Sequence, residues 1–163
     1  MKPPLKTKSA DDFQTPIEAL EPLYPYLKAE WKIWEPSCGK GNLVKELTRR
    51  GFQVSGSDIL TGEDFRLESK ECDCIITNPP YSLKQEFLER CYAIGKPFAL
   101  LMPLTALETA KRQNLYRKHG IEIILMPKRI NFETPSGKEG SAWFATAWFT
   151  NGLEIGRQLT FSS

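Results

Sequence analysis

The segment Asn78-Pro79-Pro80-Tyr81 combines an amide side chain, two prolines and an aromatic ring directly after an apolar run at residues 74–77. This order predicts a buried strand that ends in a rigid turn, because proline holds its own φ at about −65°. The Asn78 amide oxygen and the Pro79 carbonyl can accept the two hydrogens of an exocyclic amine, while Tyr81 offers a face for stacking. The segment therefore predicts a site for an amino group on a flat plane. A Pro-Pro turn beside a buried tyrosine is the alternative, since such turns are common.

A second candidate site lies upstream, in the segment Glu35-Pro36-Ser37-Cys38-Gly39-Lys40-Gly41. Two glycines spaced by one residue allow a tight turn and a close approach of the backbone to a ligand. The third glycine of a dinucleotide fingerprint is absent, and so is the Gly-Lys-Ser/Thr of a phosphate-binding loop. The acidic Glu35 would repel a pyrophosphate but attract a cationic amine.

Two acidic residues follow the glycines at informative positions. Asp58 comes after the next predicted strand, about 20 residues from the glycines, where a carboxylate can bind both hydroxyls of a ribose. Asp64-Phe65 would then meet an adenine with an acceptor and an apolar neighbour. A ligand with an amine, a ribose and an adenine but no phosphate is S-adenosylmethionine. A surface turn for Asp58 and a helix N-cap for Asp64 are the simpler alternatives.

Taken in order, these segments resemble the S-adenosylmethionine-dependent amino-methyltransferases, and most closely the adenine-N6 DNA methyltransferases with the gamma order of motifs. The resemblance implies that the catalytic residues are Asn78, Pro79, Pro80 and Tyr81. It also implies a cofactor site composed of Phe13, Thr15, Pro16, Glu35, Pro36, Ser37, Gly39, Gly41, Asp58, Ile59, Asp64, Phe65 and Asn78. In such a site Phe13-Gln14-Thr15-Pro16 would contact the methionine carboxylate, and Glu35 the methionine amine.

A late motif completes the resemblance. Arg129-Ile130-Asn131-Phe132 resembles the segment whose aromatic residue helps to clamp a base that has been turned out of the duplex, which gives Phe132 a place beside Tyr81. Trp143 and Phe144 are alternatives for this clamp, and all three aromatic residues could instead belong to the core.

The substrate is less well defined than the chemistry, because similar enzymes methylate adenine in rRNA or tRNA, guanine in rRNA, or a protein glutamine. Cations are concentrated between residues 111 and 129, where the only acid is Glu122. This patch predicts contacts with nucleic-acid phosphates, with DNA favoured over RNA, although a solvated helix face is the alternative. The residues predicted to bind substrate are Tyr81, Phe132, Lys111, Arg112, Lys128 and Arg129.

Recognition of a particular target has no obvious source in the chain. The sequence-reading members of the family carry a separate recognition domain, and nothing of that size is visible here. Either recognition is of low specificity, or the loop at residues 133–140 or a partner subunit supplies it. A non-catalytic, cofactor-binding subunit of a methyltransferase complex is the alternative from another class of function.

The elements that must position these residues are short and alternate in type. Strands are predicted at residues 31–35, 52–57, 74–77, 98–102, 121–126 and 142–149, and helices at residues 43–50, 82–94 and 106–119. A further helix is predicted after Thr15-Pro16, with Thr15 as N-cap and Pro16 at the first helical position. The pattern predicts a doubly wound, mostly parallel, Rossmann-like α/β sheet with an antiparallel last strand and helices on both faces.

Length and composition set the remaining expectations. The chain has 163 residues, of which 40% are hydrophobic and 26% charged, as in an ordinary globular protein. We expect a flexible N-terminal segment at residues 1–12 and one methyltransferase domain at residues 13–163. Four cysteines without a CxxC pair, and a single histidine, predict no metal site and a reduced, cytoplasmic protein. Neither a signal peptide nor a membrane span is expected.

Overall fold

The computed structural model describes residues 15–127, 129–133, 139–141 and 145–163. Its main feature is a seven-stranded sheet in the order β2-β1-β3-β4-β8-β5-β9. The strands are β1 (Lys32–Glu35), β2 (Gln53–Gly56), β3 (Cys74–Thr77), β4 (Phe98–Pro103), β5 (Glu122–Leu125), β8 (Thr146–Asn151) and β9 (Leu159–Phe161). Two further strands, β6 (Asn131–Glu133) and β7 (Glu139–Ser141), form a separate antiparallel pair. Within the main sheet, β8 is antiparallel to β4 and β5, and all other neighbours are parallel.

Helices cover both faces of the sheet. They are α1 (Asn42–Arg49), α2 (Lys84–Ile94) and α3 (Ala110–His119), and 3₁₀ segments lie at Ile17–Tyr26, Ile59–Thr61, Tyr81–Leu83 and Leu104–Leu107. The α2 and α3 helices pack on one face, and α1 and the first 3₁₀ segment on the other. The predicted Rossmann-like α/β fold is thus confirmed, with the predicted last strand antiparallel to its neighbours.

Side chains along the central strands alternate between the two faces of the sheet, which divides the hydrophobic core into two layers. In β3, Ile75 packs towards α2, whereas Ile76 packs towards α1. In β1, Trp34 and Ile33 divide in the same way. All four residues of β3 and all six of β4 are buried, as expected for strands covered on both faces.

Several elements differ from the prediction. Of the helix predicted at residues 106–119, only Ala110–His119 is α-helical, and the β6–β7 pair was not predicted. The N-terminal helix is a 3₁₀ helix, and Pro16 lies before it at the N-cap rather than inside it. The reason is that Pro22 and Pro25 lie within this helix and have no N–H to donate to an α-helical ladder. The sheet also continues beyond the predicted last strand, since β9 pairs in parallel with β5. Its outer residues Leu159 and Phe161 are exposed, so the apolar pattern did not reveal a strand.

The order of the strands defines one crevice. From β1 the chain passes to β2 on one side, and it then crosses to β3 on the other side of β1. Ligands of doubly wound sheets bind at such a switch in strand order, outside the carboxyl ends of the strands. The carboxyl ends of β1 and β3 therefore border the crevice in which a ligand would bind.

No helix within the described part of the chain is long and apolar enough to cross a bilayer.

Candidate active site at the carboxyl ends of β1 and β3

The two predicted motifs meet at this crevice. Glu35 is the last residue of β1, Thr77 is the last residue of β3, and the two strands are parallel neighbours. The Thr77 hydroxyl donates a hydrogen bond to Glu35 Oε1 across the strand pair. The glycine loop and the Asn78 segment, which follow these two residues, thus begin side by side.

Glu35 anchors a small hydrogen-bond network. Its side chain is buried, and Oε1 also accepts a hydrogen bond from the Ser37 backbone N–H at 2.9 Å. The Ser37 hydroxyl contacts the Thr77 hydroxyl and donates to the Asn78 carbonyl at 3.1 Å. The network therefore joins the carboxyl group to the backbone of the catalytic candidate.

The environment of Glu35 favours its neutral form. Burial raises the pKa of Glu35 to about 8, which outweighs the opposing effect of the hydrogen bonds from Thr77 and Ser37, and the nearby Asp58 raises the pKa further. A cation bound beside this carboxyl would favour the ionised form and relieve the cost of burial. The amine of S-adenosylmethionine fits this requirement.

Asp58 holds the glycine loop against the end of β2. Its Oδ2 accepts a hydrogen bond from the Gly39 N–H at 2.8 Å, and its Oδ1 accepts one from the Leu60 N–H at 2.9 Å. The loop and α1 both pack closely on β2, because a Cβ at Gly56 would lie 3.3 Å from Cys38 Cβ in the loop and 3.0 Å from Val44 Cγ2 in α1. Gly41 adopts a φ of +86°, which glycine tolerates best, and α1 begins directly after it. Each carboxylate oxygen can accept more than one hydrogen bond, so Asp58 has acceptor capacity beyond these two N–H groups.

Replacing Asp58 by alanine is expected to weaken binding of the cofactor about tenfold to a hundredfold, in line with the value of hydrogen bonds to a charged group. It would also leave two backbone N–H groups without their acceptor, at a cost of about 1–3 kcal/mol in stability. Calorimetric titration with S-adenosylhomocysteine and urea unfolding would measure the two effects.

Asp73→Ala is a matched control for this variant. Asp73 Oδ2 accepts a hydrogen bond from the Lys32 N–H at 2.8 Å, at the amino end of β1 and so away from the crevice. This variant should lower stability without changing the affinity for the cofactor. An unchanged affinity in Asp58→Ala would remove Asp58 from the site.

Asn78 presents a buried acceptor at the same crevice. Its Nδ2 donates a hydrogen bond to the Thr15 hydroxyl at 2.9 Å, whereas its Oδ1 is buried and finds no hydrogen-bond partner among the described residues. Buried polar atoms are nearly always paired, so an unpaired one at a strand end is informative. It fits an acceptor for an amine hydrogen.

The rest of the tetrapeptide forms a compact turn. Pro79 is buried, Pro80 has a φ of −55°, and the Pro80 carbonyl accepts a hydrogen bond from the Leu83 N–H at 2.8 Å. Tyr81 is partly exposed and begins the 3₁₀ segment that leads into α2. Burial raises the pKa of its phenol well above the ordinary value, so this residue stays neutral.

Asp64 and Phe65, which were predicted to contact an adenine, contact other residues of the protein. Phe65 lies in the core, with its ring centroid 5.0 Å from that of Trp34 and 4.8 Å from that of Phe87. The Asp64 carboxylate forms an ion pair with Arg66 at 2.7 Å. The structure thus gives Phe65 a role in packing, and the adenine contact of this pair stays a prediction.

The basic patch is less exposed than its sequence indicates. Arg112 is buried, where its Nε donates to the Ala106 carbonyl at 2.9 Å and its Nη1 donates to Gln85 Oε1 at 3.3 Å. This placement does not suit the phosphate contact predicted for Arg112. Lys111 is exposed and pairs with Glu89 at 3.3 Å. Arg129 is exposed. Because Arg112 is buried, the patch has one exposed cation fewer than the sequence indicates.

Several predicted residues take positions that neither support nor oppose their roles. Pro36 is buried behind the glycine loop, Pro16 and Ile59 are partly buried, and Gly39 is exposed. Phe13, Lys128, Trp143 and Phe144 lie outside the described residues. The backbone of Phe132 is in β6, but its side chain is also outside the described part.

Sequence reasoning missed two residues of the site. They are Thr77, which the sequence places only in the predicted strand at residues 74–77, and Asn42, which directly follows the glycine segment. Asn42 Nδ2 donates to the Thr15 carbonyl at 3.3 Å. A polar residue at the buried end of each parallel strand was the available signal for Thr77, because such ends meet at one edge. Residues 15–127, 129–133, 139–141 and 145–163 hold no cluster of three or more potential metal ligands.

Comparison with solved structures gives matches to methyltransferases, whereas no family model and no curated protein sequence matches the chain. A candidate RNA methyltransferase from Pyrococcus horikoshii is 12% identical with a TM-score of 0.54, and the match covers 82% of this chain and 79% of that one. The modification subunit of a candidate type I restriction enzyme from Vibrio vulnificus is 13% identical with a TM-score of 0.53, and the match covers 96% of this chain and 47% of the subunit. Precorrin-6y C5,15-methyltransferase from Geobacter metallireducens is 11% identical with a TM-score of 0.51, over 87% of this chain and 93% of that one. The chain thus has the Rossmann-like fold of these methyltransferases.

Proposed function

We propose that this protein transfers a methyl group from S-adenosylmethionine to the exocyclic N6 amine of adenine in nucleic acid, with DNA as the favoured substrate. The observation that carries the proposal is the buried Asn78 Oδ1, which has no hydrogen-bond partner in the described part of the chain, at the crevice between β1 and β3. An acceptor that would suit an amine hydrogen, near a buried carboxyl that would suit a cationic ligand, supports the proposal.

The residues that would hold the cofactor are those of the first half of the crevice. Glu35 would receive the amine, Asp58 the ribose hydroxyls, and the backbone of the glycine loop would lie along the ligand between them. When bound, S-adenosylmethionine would supply an electrophilic methyl group.

The tetrapeptide would act on the acceptor amine. The nitrogen of an adenine amine is a poor nucleophile, because its lone pair is delocalised into the ring. Hydrogen bonds from its two hydrogens to Asn78 Oδ1 and to the Pro79 carbonyl would favour a pyramidal nitrogen with a localised lone pair. No residue has to remove a proton before attack, which suits an amide rather than a base at position 78.

Tyr81 would hold the plane of the base. An adenine inside a duplex must be turned out to reach this crevice, at a cost on the order of a few kcal/mol. Stacking of a base on an aromatic ring contributes about 1–3 kcal/mol and would offset that cost. Tyr81 is partly exposed and directly follows the proposed acceptors, which supports this role.

Nucleic acid is the favoured substrate class on two grounds. The tetrapeptide resembles that of adenine methyltransferases, and two proteins of the same fold are described as an RNA methyltransferase candidate and a restriction-enzyme modification subunit. Methylation of RNA, methylation of a protein glutamine and a non-catalytic subunit are the other outcomes that the experiment must separate.

The test is transfer of tritiated methyl groups from S-adenosylmethionine to unmethylated DNA, rRNA, tRNA and protein in parallel, with Asn78→Ala as the inactive control. Nucleoside mass spectrometry would identify the product. We expect N6-methyladenine in DNA. Label in RNA or protein alone would contradict the DNA substrate, and cofactor binding without transfer to any substrate would contradict catalysis by the isolated chain.

A further inference from the structure

Thr15 is buried beside the catalytic candidate although it is 63 residues away in sequence. Its hydroxyl oxygen accepts the hydrogen bond from Asn78 Nδ2 at 2.9 Å. The resemblance assigns Thr15 only to the cofactor site. The structure thus shows a contact that this assignment leaves unexplained.

The contact matters because the amide of asparagine can rotate about its last side-chain bond, where the torsional preference is broad. An acceptor presented to a substrate amine must point its lone pairs at the amine hydrogen, since hydrogen bonds weaken steeply as they bend. A partner for Nδ2 restricts the rotation of the amide plane. It also pairs one N–H of the amide, whereas Oδ1 has no hydrogen-bond partner among the residues that the structure describes.

Thr15 is itself held in place by the cofactor half of the crevice. Asn42, the first residue of α1 and the neighbour of Gly41, donates from Nδ2 to the Thr15 carbonyl at 3.3 Å. A continuous path of hydrogen bonds therefore runs from the end of the glycine loop through Thr15 to Asn78. It links the two halves of the site through the backbone carbonyl and the side-chain hydroxyl of Thr15.

We infer that Thr15 is a positioning residue for Asn78: its hydroxyl accepts a hydrogen bond from Asn78 Nδ2 so that Oδ1 faces the substrate amine. The inference rests on the proposed function for its kinetic consequence, but the contact itself can be tested without any activity. Asn42 supports the same arrangement by holding the Thr15 backbone.

The kinetic test compares Thr15→Val with Thr15→Ser. Valine keeps the branched shape without the hydroxyl, whereas serine keeps the hydroxyl. Misplacement of a reacting group can cost up to about a hundredfold in rate, so we expect kcat to fall about tenfold to a hundredfold in Thr15→Val. The KM for the nucleic acid should stay near the wild-type value. The affinity for S-adenosylhomocysteine should fall by less than kcat, because Thr15 also belongs to the predicted cofactor site, and Thr15→Ser should restore most of kcat. An equal loss in both variants, or a loss confined to cofactor affinity, would overturn the inference.

A spectroscopic test separates this inference from the proposed function. The side-chain NH₂ signals of Asn78 in a ¹⁵N-labelled protein can be assigned by their disappearance in Asn78→Asp. We expect these signals to shift and to exchange faster with solvent in Thr15→Val, and to stay near their wild-type positions in Thr15→Ser. Unchanged signals in Thr15→Val would refute the positioning role even if methyl transfer is found. Shifted signals without methyl transfer to any substrate would support the contact and count against the proposed function.

A second variant keeps the test decisive if Thr15→Val does not fold. Asn42→Ala removes only the hydrogen bond to the Thr15 carbonyl, from a partly exposed position at the start of a helix. We expect a smaller loss of kcat and a smaller change of the Asn78 NH₂ signals, both in the same direction. Wild-type signals and kcat in this variant would contradict the path through Thr15.

Discussion

Alanine at position 78 is expected to lower the rate of methyl transfer about a hundredfold to a thousandfold, the usual effect of removing one hydrogen-bonding group that acts on developing charge. The substitution deletes the buried Oδ1 that would accept an amine hydrogen, and the Pro79 carbonyl would be left as a single acceptor. Single-turnover assays with saturating cofactor would measure the chemical step directly.

Measuring the affinity for the cofactor distinguishes the loss of an acceptor for the substrate amine from a disruption of the whole crevice. The Glu35 network reaches Asn78 through its backbone carbonyl, which alanine retains. Binding of S-adenosylhomocysteine to Asn78→Ala should therefore stay near the wild-type value. Asn78→Asp keeps an oxygen acceptor and should be more active than Asn78→Ala. A large loss of cofactor affinity in Asn78→Ala would argue against a role confined to the acceptor amine.

The ligand-free protein is expected to lose stability as the pH rises from about 4.5 to about 8. Burial raises the pKa of Glu35 to about 8, against an ordinary value of 4.5 in the unfolded chain. Between these values the folded state binds more protons than the unfolded state, so the free energy of unfolding falls with pH. The slope for one group is at most about 1.4 kcal/mol per pH unit. Below the window both states are protonated, and above it both are ionised, so the contribution no longer changes.

Urea unfolding at a series of pH values, in wild type and in Glu35→Gln, would isolate this contribution. The glutamine variant should show a flatter dependence on pH, because it has no proton to release. Glu18→Gln, at an exposed position in the first 3₁₀ segment, is the matched control and should follow the wild type. Equal slopes in wild type and Glu35→Gln would show that Glu35 ionises freely in the folded protein.

The same group should link binding of the cofactor to release of a proton. A cationic amine beside Glu35 favours the carboxylate, so affinity for the cofactor should increase with pH up to about 8 and then level off. Calorimetry in two buffers of different ionisation enthalpy would count the protons released. Glu35→Gln should release none from this position.

The sequence was sufficient to predict the layered sheet and its crevice because both depend on local signals. Apolar runs ended by Asp58 and by Asn78-Pro79 marked the carboxyl ends of two strands, and parallel pairing brings such ends to one edge. Glycine at positions 39 and 41 marked the loop between β1 and α1. These signals lie within a few residues of the feature that they predict.

Contacts between distant residues were not predictable in the same way. The hydrogen bond from Thr77 to Glu35 spans 42 residues, and that from Asn78 to Thr15 spans 63. Arg112 belongs to a run of cations in the sequence, but its carbonyl and amide acceptors come from a 3₁₀ segment and from α2. Only the tertiary structure shows that this guanidinium is a structural link between two helices. Strand β9 was not predicted for a related reason. It is defined by its pairing with the distant strand β5, and its exposed residues give no burial pattern.

The position of β8 has a consequence for the order in which the sheet can be completed during synthesis. This strand lies between β4 and β5, and it pairs with both over most of its length. Strands β4 and β5 are synthesised earlier, and they become joined in the sheet only after residues 146–151 have been made. Until then, an edge of β4 whose residues are all buried in the finished sheet remains open to other chains. A nascent chain of this protein must keep that edge from aggregating until its own late strand covers it.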